Sequence, residues 1–162
     1  KAGDGGKDAD EAGKEADRKA PEEELQLAVD FSKMRLLLVE DVAINREIAG
    51  MLLQSLGFSI EFAENGKEGV EKVEASTPGY YDAVLMDIQM PVMNGYEATE
   101  AIRALPDKEL SEVPVIAMTA NAFSDDVKRA MDAGMNAHVA KPIDMNVLQS
   151  VLRDILGQRK KK

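Results

Sequence analysis

The sequence predicts an α/β fold: a doubly wound parallel sheet of five strands with helices on both faces. Three observations lead there. Five short apolar runs alternate with five stretches of helical periodicity from residue 34 onward. The first run, Leu36-Leu37-Leu38-Val39, is continuous rather than alternating, as in a strand buried on both faces. The links between runs are short, and strand–helix repetition on short links implies parallel pairing through helical crossovers.

Each element follows from local sequence. Leu36–Val39 is the first strand. Helical periodicity runs from Ile44 to Leu56 and ends at Gly57. Phe58–Ala63 is the second strand, and Lys67–Ala75 is a helix opened by Asn65-Gly66. Ala83–Met86 is the third strand, and Asn94-Gly95 forms the turn before a helix over Tyr96–Ala104. Val115–Met118 is the fourth strand. Asp125–Ala133 is helical and stops at Gly134. Ala137–Ala140 is a short fifth strand, and Met145–Leu156 is the last helix, stopped at Gly157. No internal repeat is visible.

Composition narrows the function classes. The 162 residues hold one domain and a tail. Residues 1–33 read as an acidic flexible tail or linker, 34–157 as the domain, and 158–162 as a basic end. Residues 1–20 contain no Leu, Ile, Val or aromatic residue, so they cannot offset their ordering entropy. Pro21 offers a start for a short helix through Glu22–Asp30. Gly3 to Asp8 lacks the spacing and final hydroxyl of a phosphate loop. The chain begins with Lys and is read as a fragment of a longer protein.

There is no Cys, which excludes disulfide scaffolds and thiol catalysis and fits a reducing compartment. No apolar run approaches the ~20 residues that span a bilayer, so no membrane contact by the domain is expected, and a cytoplasmic location is. Thirty acids against twenty bases give a net charge of −10. Ten of the acids and five of the bases lie in residues 1–30, so half of the excess is in the tail. No basic face is left to grip nucleic acid directly, and Lys160–Lys162 reads as a solvated end.

The chemistry gathers at the strand ends. The first strand runs into Glu40-Asp41, the third into Asp87, the fourth into Thr119 and the fifth into Lys141. Ligands of doubly wound sheets bind beyond the carboxyl ends of the strands. Three carboxylates in one pocket repel each other unless a cation lies between them. Hard oxygen donors at an open site suit Mg²⁺, with Mn²⁺ as the substitute. Lys141 brings a positive charge and Thr119 a hydroxyl. A metal, an ammonium and a hydroxyl match the outer oxygens of a phosphoryl group in transfer, which leaves one carboxylate as the nucleophile.

These segments resemble a known family, the response-regulator receiver domain, over about residues 34–156. The resemblance is carried by Leu38-Val39-Glu40-Asp41, by Met86-Asp87-Ile88-Gln89-Met90-Pro91-Val92-Met93-Asn94-Gly95, by Ala117-Met118-Thr119-Ala120 and by Lys141-Pro142. Asn94-Gly95-Tyr96-Glu97-Ala98-Thr99, Thr119-Ala120-Asn121-Ala122 and Ala133 to His138 are most like the receiver of a hybrid sensor histidine kinase. The resemblance implies a flavodoxin/CheY-like sheet in the order 2-1-3-4-5. It implies that Asp87 accepts a phosphoryl group from a phosphohistidine of a histidine kinase or a histidine phosphotransfer protein. Asp41 and Asp87 would ligate the metal, Gln89 through its backbone carbonyl, and Glu40 through a metal-bound water. Thr119 and Lys141 would contact the phosphoryl group, Thr119 and His138 would form the switch, and the bond to Pro142 would be cis. Two positions depart from the family: Val42 stands where Asn is usual, and His138 where Tyr or Phe is usual.

Other readings stand beside this one. Glu40-Asp41 alone is an ordinary helix start, Asp87 a turn former, Thr119 a strand-end residue and Lys141 a solvated base. The nine Met residues read as core filler, with Met90 and Met93 shaping the site wall. A phosphatase with an aspartyl nucleophile needs a second acid two residues later, where this chain has Gln89. The expected catalysis is therefore self-phosphorylation and slow dephosphorylation. A stand-alone single-domain regulator and a non-phosphorylated pseudo-receiver are the alternatives. The stimulus, output and oligomeric state are not written in the sequence.

One helix carries more apolar surface than it needs. At about 100° per residue, Ala49, Leu52, Leu53 and Leu56 share one arc, assigned to the core. Ile44, Ile48 and Met51 share a second arc beside it, three residues past Asp41 at its start. This stripe is expected to dock the phosphodonor; packing beneath a neighbouring loop is the bland reading.

Overall fold

A computed structural model describes residues 31–120, 125–141 and 143–161. The expected disorder of residues 1–20, the helix over Glu22–Asp30 and the cis bond at Pro142 lie outside the described residues.

Five parallel strands form one sheet: β1 (Arg35–Val39), β2 (Ser59–Ala63), β3 (Ala83–Asp87), β4 (Val115–Thr119) and β5 (Ala137–Ala140). Their order is β2-β1-β3-β4-β5. Among the described residues, six helices accompany them: α1 (Ala43–Ser55), α2 (Gly66–Ala75), α3 (Gly95–Arg103), α4 (Lys108–Ser111), α5 (Asp125–Ala133) and α6 (Met145–Lys161). The uninterrupted apolar runs are the central strands. Every residue of β3 and β4 is buried, while the edge strands β2 and β5 are only partly so.

Side-chain alternation along the strands divides the core in two. Leu36, Leu38, Leu85, Ile116 and Met118 face α1 and α6, where they meet Ala49, Leu53, Leu148 and Leu152. Leu37, Val39, Val84, Met86, Val115 and Ala117 face the other way, toward Val73 of α2, Ile102 of α3 and Ala130 of α5. Burying each such Leu or Ile contributes about 1.5–3 kcal/mol before entropy is counted. The sheet is thereby held rigid from both sides, and its carboxyl edge becomes a fixed platform.

Four expectations are corrected. The last helix does not stop at Gly157 but continues to Lys161. The short α4 was not expected; Asp107 caps it by accepting hydrogen bonds from the Glu109 and Leu110 amides at 2.9 and 3.3 Å. Residues 31–33 belong with the domain rather than with a flexible tail. They form a 3-10 turn, and Phe31 stacks on Phe58 with ring centroids 4.5 Å apart. Of the inner arc of α1, Ala49 and Leu53 are buried and Leu56, at the C-cap, packs against the same core, but Leu52 lines a cleft beside the sheet's carboxyl edge.

Candidate functional site

The topology brings the strand ends together. β1 lies beside β3, and β3 beside β4, so Val39, Asp87 and Thr119 end neighbouring strands. Glu40 extends β1 by one bond, its amide donating to the Ala63 carbonyl at 3.1 Å. Lys141 extends β5 in the same way, donating to the Thr119 carbonyl at 2.7 Å. Backbone pairing therefore sets where four of the five side chains start.

Glu40, Asp41 and Asp87 each offer a carboxylate oxygen within 4.8 Å of the other two. Glu40 and Asp87 are buried, and Asp41 is half-buried. The Lys141 ammonium donates to Asp87 Oδ1 at 2.9 Å and to Glu40 Oε1 at 3.2 Å. The second Glu40 oxygen accepts from the Val42 amide at 3.1 Å. Arg46 donates to the Glu40 carbonyl at 2.7 Å and ties the first turn of α1 to this loop.

Burial pushes the Asp87 carboxyl up to about 6, and the nearby Glu40 charge adds to the rise, while Lys141 opposes both. For Lys141, burial works downward, but its hydrogen bonds and attraction to Asp87 and Glu40 outweigh that and raise it. The ammonium thus stays charged and holds an acid that is reluctant to ionise. Two buried anions against one ammonium leave the cluster short of positive charge. Such a hard-oxygen donor set suits a small divalent cation.

Thr119 adds a second sign of an absent ligand. Its hydroxyl is fully buried and has no hydrogen-bond partner among the described residues. Buried hydroxyls are rarely left unpaired, because each costs about 1–3 kcal/mol. The hydroxyl ends the strand next to that of Asp87, and an anionic oxygen arriving between them would satisfy it.

The floor is shaped by Gly95. Its amide donates to the Ile88 carbonyl at 2.7 Å, and a Cβ there would lie 2.4 Å from the Asp87 carbonyl oxygen. The Asn94 carboxamide caps α3 by accepting from the Glu97 amide at 2.8 Å, while Glu97 accepts from the Asn94 amide. The chain just before is tight: Met93 donates to the Pro91 carbonyl at 2.7 Å, with Val92 at a φ of 71°.

The response regulator receiver domain family matches residues 36–153. The chain belongs to that family. Among relatives, it is 42% identical over 118 residues to hybrid signal transduction histidine kinase B of Dictyostelium discoideum, covering 67% of this chain and 6% of that protein. Peroxide stress-activated histidine kinase mak1 of Schizosaccharomyces pombe is 33% identical over 142 residues, which is 87% of this chain and 9% of the kinase. This receiver thus spans about a tenth of the length of such relatives. Among solved structures, the receiver domain of a sensor histidine kinase from Pseudomonas aeruginosa, with magnesium in its active-site cleft, superposes with a TM-score of 0.69. It is 39% identical and covers 76% of this chain and 98% of that one.

In this receiver the structure places the expected site residues as follows. Glu40, Asp41, Asp87, Gln89 and Lys141 line one hollow of about 240 Å³. Thr119 does not line it but is buried between two residues that do, Met118 and Ala120. Ile44, Ile48 and Met51 are 60, 51 and 68% exposed on the outer face of α1, so no loop among the described residues covers them. His138 is half-buried beside Ala117 in the β4–β5 register, which puts it on the sheet face shared by Ala117 and Thr119, under α5. Met90 and Met93 do not wall the site as expected; they pack against the core beneath α2 and α3.

Two residues on the hollow were missed from sequence, Asn45 and Asp126. Tyr96 holds Asp126 by donating to its carbonyl and carboxylate at 3.2 Å each, and Arg129 lies 4.2 Å from the Tyr96 ring centroid. Neither residue ends a strand-like run, and both sit in the first turn of a helix. Only the fourth position after Asp41 hinted that Asn45 would face the site.

Proposed function

We propose that this receiver accepts a phosphoryl group from a phosphohistidine onto Asp87 and uses the acyl phosphate to switch its contacts with partners. The observation that carries this reading is the conjunction at one hollow: a buried carboxylate, two further acids, an ammonium at 2.9 Å and an unpaired buried hydroxyl. An Asp87 oxygen attacks phosphorus, the phosphorus–nitrogen bond breaks, and its electron pair stays on the donor's imidazole. Lys141 and the Thr119 hydroxyl meet two of the outer phosphoryl oxygens.

The site also fits a divalent cation, Mg²⁺ or Mn²⁺. Asp41, Asp87 and the Gln89 carbonyl would hold it directly, and Glu40 through a water. Bound there, it neutralises charge on the carboxylates and on the phosphoryl oxygens. No second acid stands at position 89, so the domain turns over no external substrate.

The donor docks on the outer face of α1. Ile44, Ile48 and Met51 are exposed there, and Ile48 borders an apolar cleft of about 440 Å³ that reaches Lys141 and Ile143. The chain resembles, at 28% identity and a TM-score of 0.69, a chain of the Saccharomyces cerevisiae co-crystal of phosphotransfer protein Ypd1 with the receiver domain of Ssk1. That likeness supports a helical phosphotransfer protein, or the kinase's own phosphohistidine domain, as the partner. The hybrid kinases among the relatives support a parent of that kind for this receiver. His138 and Thr119 form the switch that carries phosphorylation to the α5–β5–α6 face.

The test is incubation with acetyl phosphate and Mg²⁺, read by intact mass. One phosphoryl mass is gained by the parent chain and is lost with chelator and in Asp87→Asn. Full labelling of Asp87→Asn at a single site overturns the assignment.

A further inference from the structure

Two hollows meet along one wall beside Asp87. The acidic one holds Asp41, Asp87 and Asp126. The apolar cleft lies outside it, bordered by Ile48, Leu52 and Ile143. Five residues border both: Glu40, Asn45, Met118, Ala120 and Lys141. Glu40 and Lys141 are bound to each other at 3.2 Å. Met118 and Ala120 bring no strong polar group. Asn45 is different. It is exposed, and its carboxamide forms no hydrogen bond with any described residue. One uncommitted donor–acceptor group thus stands at the threshold between the docking cleft and the reactive carboxylate.

In-line phosphoryl transfer fixes what crosses that threshold. The attacking oxygen, phosphorus and leaving nitrogen lie roughly on one line. With Asp87 at the bottom of the acidic hollow, the donor's imidazole sits at its mouth. The oxygen–phosphorus bond forms and the phosphorus–nitrogen bond breaks. The ring leaves as neutral imidazole, provided that its other nitrogen already carries a proton. An acceptor facing that N–H keeps the ring protonated and aligned. A carboxylate could accept as well, but it would add another negative charge to three crowded ones. A carboxamide oxygen accepts without that charge.

Resting on the phosphoacceptor reading above, we propose that Asn45 orients the donor's imidazole, its side-chain oxygen accepting a hydrogen bond from the ring N–H while phosphorus passes to Asp87. The role is specific to phosphorus–nitrogen donors that carry an imidazole. Acetyl phosphate has no ring and gains nothing from it.

Labelling rate constants with phosphoimidazole and with acetyl phosphate, both in Mg²⁺ and read by intact mass, test this. Asn45→Leu keeps the size of the side chain, and Asn45→Ala guards against a Leu that blocks the cleft. The ratio of phosphoimidazole to acetyl phosphate rate constants falls at least tenfold in both variants, with unchanged melting temperatures. A smaller fall in either variant, with the parent chain labelled by both donors, overturns the role of Asn45 alone. A parent chain that neither donor labels overturns the phosphoacceptor reading, and this inference with it.

Discussion

At Asp87 three influences compete: burial, the Glu40 charge and the Lys141 ammonium. Their balance pushes the carboxyl up to about 6, from 3.8 for an ordinary Asp. The folded state therefore holds this proton more tightly than the unfolded chain does. Below about pH 4 both states are protonated, and no penalty arises. As pH rises from 4 to 6, the unfolded chain ionises first and folding loses stability. Above pH 6 the penalty is constant, on the order of 3 kcal/mol in the absence of metal. In chelator, Asp87→Asn should accordingly be more stable than the parent at pH 7, with the difference closing toward pH 4. Denaturant melts across that range check this, and a difference independent of pH refutes it. The candidate site residues were legible because the strand-like runs lead into Glu40-Asp41, Asp87, Thr119 and Lys141. Asn45 and Asp126 were not, because a polar residue early in a helix is ordinary and only tertiary packing aims it at the hollow.

Helix α1 shows how one element serves two surfaces. Ala49 and Leu53 face the sheet, and a turn of the helix away Ile44, Ile48 and Met51 stand in solvent. The periodicity separated the two arcs correctly, and Leu56 packs against the core with Ala49 and Leu53, but Leu52 lines the cleft instead. Helix ends were legible where glycine takes a left-handed conformation, as Gly57 and Gly134 do at φ of 106° and 109°. Gly157 does not, and Gln158 to Lys161 are good helix formers, so α6 runs through it. If the outer stripe of α1 docks the donor, Ile48→Asp places a charge in an apolar contact without touching the core. Transfer from the cognate phosphohistidine protein should fall at least tenfold relative to labelling by acetyl phosphate, about 1.4 kcal/mol at the transition state. Both routes falling together with the melting temperature would instead make Ile48 a core residue.

Across the whole molecule, the sheet turns a local bond into a distant surface. The alternating elements made a parallel five-stranded sheet legible, but not its order, since periodicity carries no information about which strands are neighbours. The order came from the resemblance, and the structure bears it out. That order puts β4 between the reactive β3 and the edge strand β5, with Asp87 paired to Met118 and Thr119 to Ala140. Thr119 and His138 lie on one sheet face because neighbouring parallel strands keep their side-chain alternation in register. The Thr119 hydroxyl has no partner among the described residues, so on the proposed reading an arriving phosphoryl oxygen would give it one and change the free energy of the phosphorylated state at this residue. On the proposed switch, a Thr119 drawn toward Asp87 would leave room on that face for His138 to turn inward, and the α5–β5–α6 surface would change with it. Beryllofluoride, a phosphoryl mimic, should therefore shift backbone resonances of residues 115–119 and 137–140 as well as those around Asp87. His138→Ala should keep the shift at Thr119 but weaken binding of any partner that selects the phosphorylated form. If the shifts stay within residues 40–45 and 87–95, the signal does not cross β4, and the output surface must lie on α1 instead.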